Sequence, residues 1–211
     1  MPLACLRSKL YLILPAGLPS PELLRLVEAA ISGGVGMIQY REKEKPTRQM
    51  LEEAVRILRL TRLASVPLII NDRADVALAV EAEGVHVGQE DMPVATARRL
   101  LGPCAIVGAT TPDAQALEIA EREGASYAAI GPIFASPTKP EKATVGVEAV
   151  HRTQQITALP VCAIGGINET NIRELVAEKV ALYAVVSAIS SADDPEAATA
   201  RLVRMIDTSE S

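Results

Sequence analysis

The sequence predicts a single (β/α)8 barrel with parallel strands, spanning residues 1–211 as one domain. Two observations carry that prediction. Short β-like runs alternate with longer helical ones from end to end, eight of each, joined by short connections. Runs such as 127–131 are apolar on both faces, as strands of a parallel sheet covered on both sides must be. Eight such units in 211 residues meet the compact limit of the barrel. A doubly wound open sheet is the alternative, but no Gly-x-Gly-x-x-Gly follows the first strand, where that fold would use it.

Strands are expected at 9–14, 36–41, 67–71, 84–88, 105–109, 127–131, 160–165 and 182–187. Helices are expected near 21–32, 47–64, 74–82, 94–101, 112–123, 146–157, 169–178 and 195–206. Pro21, Pro112 and Pro195 stand near helix starts, where a missing amide proton costs little. Gly33-Gly34, Gly102 and Gly124 stand where helices should stop. One connection breaks the rule of short loops: residues 132–145, rich in hydroxyls and lysines, read as a lid over a phosphate site. Residues 1–8 and 207–211 are expected to be flexible ends.

Composition excludes several classes. The 21 basic and 26 acidic residues leave a net charge of −5, so any anion site is local and a general nucleic-acid surface is excluded. Four Tyr, one Phe and no Trp are too few for base-stacking platforms. Cys5, Cys104 and Cys162 lack metal-ligand spacing, and the last two lie in apolar runs, as buried small hydrophobes do. That usage suits a reducing, cytoplasmic setting. The run Leu10–Leu14 is too short for a secretion signal or a membrane span. Expected partners are small-molecule substrates, with no nucleic acid and no membrane; a homo-oligomer is left open.

In such a barrel the reacting groups gather at the C-terminal ends of the strands. The second strand runs into Gln39-Tyr40-Arg41-Glu42-Lys43, whose alternate side chains Gln39, Arg41 and Lys43 share one face, with Tyr40 on the other. An amide and two cations make an anion clamp, or else a solvated strand end. The third strand ends at Asn71 and Asp72, and Asp91 follows the fourth. Each Asp alone reads as a helix cap. As a pair on neighbouring strands they suit Mg²⁺, which takes a few carboxylate oxygens and completes its shell with water and phosphate. Thr110 ends the fifth strand and, with Gln39 and Asn71, could orient a heterocycle, or cap a helix. Gly165-Gly166 and Val186-Ser187, where the last two strands end, occupy the positions where barrels hold phosphate. His86 reads as a satisfied interior residue and His151 as an exposed one.

These residues, with Gly84-Val85-His86-Val87-Gly88-Gln89-Glu90-Asp91, Gly131-Pro132-Ile133-Phe134, Thr138-Lys139 and Ala163-Ile164-Gly165-Gly166-Ile167, resemble the thiamine phosphate synthase family over about residues 9–206. The resemblance implies a (β/α)8 barrel that condenses a hydroxymethylpyrimidine diphosphate with a hydroxyethylthiazole phosphate. By matching position, Gln39, Tyr40, Arg41, Glu42, Lys43, Asn71, Thr110 and Lys139 would bind the pyrimidine diphosphate. Ser136, Pro137, Thr138, Gly166, Val186 and Ser187 would bind the thiazole phosphate, and Asp72 and Asp91 would hold Mg²⁺. Arg41, Lys43, Lys139 and Thr110 are the residues expected to act on the reacting groups. The sequence departs from the family's usual Ser at Thr110, Thr at Ser136 and Leu at Tyr40. The rivals are a thiazole tautomerase-like paralogue, which carries His where this chain has Pro132, and a non-catalytic phosphate-binding regulator. A phosphosugar isomerase or epimerase is the generic third, but it wants a base beside a carbonyl.

Overall fold

A computed structural model describes residues 3–135 and 143–208. Its eight parallel strands close in sequence order: β1 (Leu10–Ile13), β2 (Met37–Tyr40), β3 (Leu68–Asn71), β4 (Gly84–Val87), β5 (Ile106–Thr110), β6 (Tyr127–Ile130), β7 (Val161–Ile164) and β8 (Leu182–Val185). The ring shuts where Tyr11 pairs with Ala184 on one side and Met37 on the other. Period-two alternation sorts the strand residues into two cores. Tyr11, Ile13, Met37, Ile69, Ile106, Tyr127, Cys162 and Leu182 fill the barrel. Leu10, Leu12, Ile38, Tyr40, Leu68 and Ile70 face outward, beneath the helices.

Those helices are α1 (Ser20–Ser32), α2 (Thr47–Leu63), α3 (Ala74–Val80), α4 (Val94–Leu101), α5 (Ala114–Arg122), α6 (Val147–Ile156), α7 (Ile172–Val176), α8 (Ser187–Ser190) and α9 (Pro195–Asp207). The start and stop signals work as physical chemistry requires. Pro21 lies in the first turn of α1 and Pro195 opens α9, whose N-cap Asp194 accepts from the Ala197 amide at 3.0 Å. Gly33 ends α1, and Gly102 ends α4 at φ +86°.

Four elements differ from expectation. α5 begins at Ala114 rather than residue 112, because Asp113 caps it by accepting from the Ala116 amide at 2.8 Å. α7 is short, since Asn168 and Asn171 spend their side chains on a turn: Asn171 Oδ1 accepts from the Asn168 amide at 2.9 Å. The eighth strand ends at Val185, and Ser187 opens the extra helix α8. Residues 3–8, expected to be loose, are tied down. Leu3 and Leu6 pack against the barrel interior, and Arg7 donates to the carbonyls of Val35 (2.7 Å) and Ile31 (2.6 Å). Cys104 is also a correction: it lies exposed in the turn after α4, whereas Cys162 is buried in the barrel, where burial pushes its thiol up.

Close strand spacing depends on glycine at particular points. A Cβ on Gly84 would collide with the backbone carbonyl of Ile106 on β5, and one on Gly108 would overlap the Tyr127 ring. Gly84→Ala therefore forces two backbones apart and should cost about 1–3 kcal/mol, as overpacking does. Chemical denaturation measures it; an unchanged midpoint would mean that β4 and β5 can relax around a methyl group.

Candidate active site

The C-terminal mouth of the barrel opens into a cavity of about 620 Å³. Gln39, Arg41 and Lys43 line it, as the alternation along β2 predicts. Tyr40 faces the other way and donates to Glu53 Oε2 at 2.6 Å.

Glu42 does not line the cavity either. It is buried, and accepts from the backbone amides of Gly17 (3.0 Å), Lys43 (2.8 Å) and Glu44 (3.2 Å). Lys45 Nζ stands 3.3 Å from Glu42 and 3.0 Å from both oxygens of Glu53, and donates to the Leu18 carbonyl at 2.7 Å. Burial opposes ionisation of both carboxyls. The amides around Glu42, the hydroxyls of Tyr40 and Ser20 on Glu53, and Lys45 on both outweigh it and hold both below the usual carboxylate range. The buried Glu42–Lys45–Glu53 cluster thus pins the β2–α2 connection to α2 and the β1–α1 loop, and Arg41 and Lys43 project from a fixed segment.

Asp72 and Asp91 are neither of them helix caps: Arg73 and Pro93 hold the N-cap positions of α3 and α4, with no side-chain cap bond. Asp91 Oδ2 accepts from the Gly88 amide at 2.7 Å, which aims the carboxylate inward. Asp72 sits at φ +60°, a left-handed conformation that Asp tolerates, with its amide on the His86 carbonyl at 2.7 Å. Burial and then the neighbouring Asp91 raise the Asp72 carboxyl, while Lys43, 3.4 Å away, opposes the rise. Among the described residues no third acid, histidine or cysteine joins the pair. Two crowded hard-oxygen donors beside an open cavity fit a divalent cation that keeps its other positions for water or ligand oxygens. Next to them, Asn71 lines the cavity with a buried Nδ2 that has no hydrogen-bond partner, a donor in want of a ligand.

The floor is polar. Gln39 Nε2 donates to Tyr11 Oη at 2.5 Å, and Tyr11 Oη lies 3.0 Å from Tyr127 Oη. Tyr127 Oη is 3.0 Å from His86 Nδ1, and His86 Nε2 is 3.0 Å from Thr110 Oγ1. His86 is thereby satisfied at both nitrogens, as expected, and burial pushes its ring down to about 4 against the pull of Asp91. Thr110 caps no helix, since Asp113 does that work; its carbonyl accepts from Gln89 Nε2 at 2.5 Å. Sequence reasoning missed Tyr11 and Tyr127. The signal available was polar aromatics at inward positions of two strands in a chain with four Tyr. His151 is exposed and lies 3.4 Å from Glu178.

Gly166, Val186 and Ser187 line the opposite wall. Gly165 (φ +100°) and Gly166 (φ +67°) have a second duty: side chains there would strike Pro132 and the carbonyls of Phe134 and Ala135. The Phe134 amide bonds the Gly165 carbonyl at 3.0 Å, so the glycines let the base of the 132–145 connection lie on the β7 turn. The amides of Asn168 (3.1 Å) and Asn171 (2.9 Å) hold the Gly166 carbonyl from behind. Ser136, Pro137, Thr138 and Lys139 lie outside the described residues.

A closed (β/α)8 barrel whose mouth gathers cations, paired carboxylates and glycine turns has the form of a barrel enzyme for small molecules. Comparison with known proteins narrows it. The family described as thiamine monophosphate synthase matches residues 10–189. Thiamine-phosphate synthase of Chloroflexus aurantiacus is 47% identical over 200 residues, covering 94% of this chain and 92% of that one. That of Vibrio campbellii is 43% identical over 199 residues, covering 94% and 98%. The match to the Thermosynechococcus vestitus enzyme, 43% identical, covers 96% of this chain but 57% of that longer protein. Thiamine phosphate pyrophosphorylase from Pyrococcus furiosus superposes with a TM-score of 0.86 at 34% identity, covering 97% and 98%. A 3-hexulose-6-phosphate synthase from Salmonella typhimurium, at 13% identity and TM-score 0.75, shares the fold alone. The chain belongs to the thiamine monophosphate synthase family, and is a transferase. Among the described residues no helix is long and apolar enough to cross a membrane.

Lys45→Met should lower stability by about 2–3 kcal/mol at pH 7, because two buried carboxylates lose their counter-charge. Both carboxyls are depressed, so their contribution is full above the ordinary carboxylate value and is lost as pH falls through the depressed values. The gap to wild type should therefore shrink in acid, where a protonated Glu needs no cation. Melting curves at pH 7 and at pH 3 or below test this. A gap of equal size at both would assign the loss to packing of the lysine stem instead.

Proposed function

We propose that the protein condenses 4-amino-2-methyl-5-hydroxymethylpyrimidine diphosphate with 4-methyl-5-(2-hydroxyethyl)thiazole phosphate, or its carboxylate form, releasing thiamine phosphate and diphosphate in an Mg²⁺-dependent, dissociative displacement. The observation that supports this most is the crowding of Asp72 against Asp91 at the cavity edge, with Arg41 and Lys43 alongside. A silent phosphate-binding relative has no use for that arrangement. A tautomerase-like paralogue would carry His in place of Pro132, and the chain has Pro.

Asp72 and Asp91 would hold the ion, whose charge, when bound, offsets that of the diphosphate. Arg41 and Lys43 bind the same group by charge-assisted hydrogen bonds and stabilise it as it departs. Lys139 is assigned to this set by its matching position. Gln39, Asn71 and Thr110 orient the aminopyrimidine. Gly166, Val186 and Ser187, with Ser136, Pro137 and Thr138 by matching position, hold the thiazole phosphate beside the short helix α8, where barrels commonly bind phosphate. The thiazole nitrogen brings its own lone pair, so no side chain is needed as a base. The chain contributes position, charge and the exclusion of water from the pyrimidine-methyl cation. Ile13, Ala129, Ile164 and Ala184 give the cavity the apolar surface that this exclusion needs.

The deciding experiment incubates purified protein with both substrates, with and without Mg²⁺, and looks for thiamine phosphate by chromatography. Magnesium-dependent product is expected; folded protein that binds either substrate and makes none would sink the proposal. Asp72→Asn and Asp91→Asn should each lower kcat by about 10²-fold or more. Each should also weaken Mn²⁺ binding followed by electron paramagnetic resonance. Undiminished Mn²⁺ affinity in both variants would remove the shared-ion assignment. Lys139→Ala should slow turnover by about 10²-fold; a change confined to thiazole affinity would move Lys139 to the other substrate.

A further inference from the structure

Five side chains from five different strands form one continuous hydrogen-bonded line across the barrel floor: Gln39 (β2), Tyr11 (β1), Tyr127 (β6), His86 (β4) and Thr110 (β5). The two ends, Gln39 and Thr110, line the cavity together with Tyr11 and His86, while Tyr127 lies beneath it. Tyr11 and Tyr127 are fully buried, with their rings edge-to-face at a centroid distance of 6.1 Å. His86 stacks on Tyr127 at 5.6 Å and an interplanar angle of 23°. Gly108, paired with His86 across the β4–β5 ladder, leaves the space that the Tyr127 ring occupies. Neither tyrosine, both buried, can turn away without leaving a buried hydroxyl unpaired.

We infer that this line is a positioning relay that sets the hydrogen-bond polarity of the two cavity-facing ends, making Gln39 present an acceptor and Thr110 a donor. The inference rests on the reading of this cavity as a heterocycle site. Its logic is donor counting. Gln39 Nε2 can only donate, so Tyr11 Oη accepts from it and passes its own proton towards Tyr127. Tyr127 in turn passes its proton to His86 Nδ1, so the proton of the neutral ring sits on Nε2 and points at Thr110 Oγ1. The Thr110 hydroxyl proton is then left to face the cavity, and at the far end the Gln39 carbonyl oxygen is the acceptor. Each bond orders the next, so the two ends are coupled although they stand on separate strands. The ligand edge selected carries one donor on the β2 side and one acceptor on the β5 side. An aminopyrimidine, with an exocyclic amine and ring nitrogens, has such an edge. Tyr11, Tyr127 and His86 are on this account positioning residues for the pyrimidine, acting through Gln39 and Thr110.

Two measurements test the relay. The first does not involve activity. Nitrogen-15 NMR of a chain with two histidines should find His86 as the Nε2–H tautomer. In Tyr127→Phe, which keeps the ring and removes the link, it should become a mixture. An Nδ1–H tautomer in the wild type, or no change in the variant, would overturn the inference. The second compares KM for the pyrimidine diphosphate with Ki for its analogue lacking the amino group. Fixed ends should discriminate about ten-fold or more, because the analogue strands a buried acceptor. Tyr127→Phe frees the ends to satisfy themselves, so the ratio should fall to about three-fold or less while KM for the thiazole phosphate holds. A variant with a lower Tm and an unchanged ratio would make Tyr127 a packing residue only. Wild type with the expected tautomer but no thiamine phosphate would instead count against the proposed function, and so separates the two failures.

Discussion

Closure of eight very short strands is the constraint on which everything else depends. Each strand runs four or five residues, and its ladder bonds are satisfied only because β1 meets β8 and leaves no edge. Closure makes the interior a fixed small volume. It is filled mainly by one side chain in two along each strand, which is why Gly108 faces Tyr127 and why Gly84 lets two backbones approach. The same closure sends every strand's C-terminal end to one rim. Residues separated by most of the chain become neighbours there without any long-range recognition of their own.

The rim is kept in place by charges that never meet the cavity. Glu42 lies between two cations that line or flank the site, yet it turns inward to three backbone amides and Lys45. Glu53, buried on α2, completes that cluster and takes the Tyr40 hydroxyl as well. Tyr40 thus has a local partner: its hydroxyl reaches the buried carboxylate of Glu53. Across the mouth, Gly165 and Gly166 serve the approach of residues 132–135 as much as any ligand. Structural and ligand-facing duties therefore alternate residue by residue along the same segments.

Much of the fold and part of the site were legible in the chain. The eight strands fell within a residue or two of expectation, because alternation, proline starts and glycine stops are local signals. The β2 face was legible for the same reason: period two puts Gln39, Arg41 and Lys43 together. Asp72 and Asp91 could be paired only by assuming the barrel, since each alone reads as a cap. Cys104 misled because an apolar neighbourhood in sequence did not become one in space, and residues 3–8 misled because their anchors, Ile31 and Val35, are two dozen residues or more away.

By itself the sequence determined the order of elements, the barrel they make and which strand ends carry polar groups. Each of those follows from backbone periodicity and the conformational preferences of single residues. Only the tertiary structure decided which polar groups act together. Tyr11 and Tyr127 are 116 residues apart and touch because opposite walls of a closed barrel are narrow enough for two rings to span. Glu42 and Arg41 are adjacent in sequence and have separate roles because Arg41 lines the cavity while Glu42 is buried against backbone amides and Lys45. Hydrogen-bond partnership depends on distance and direction in space, and neither is written in the spacing along the chain.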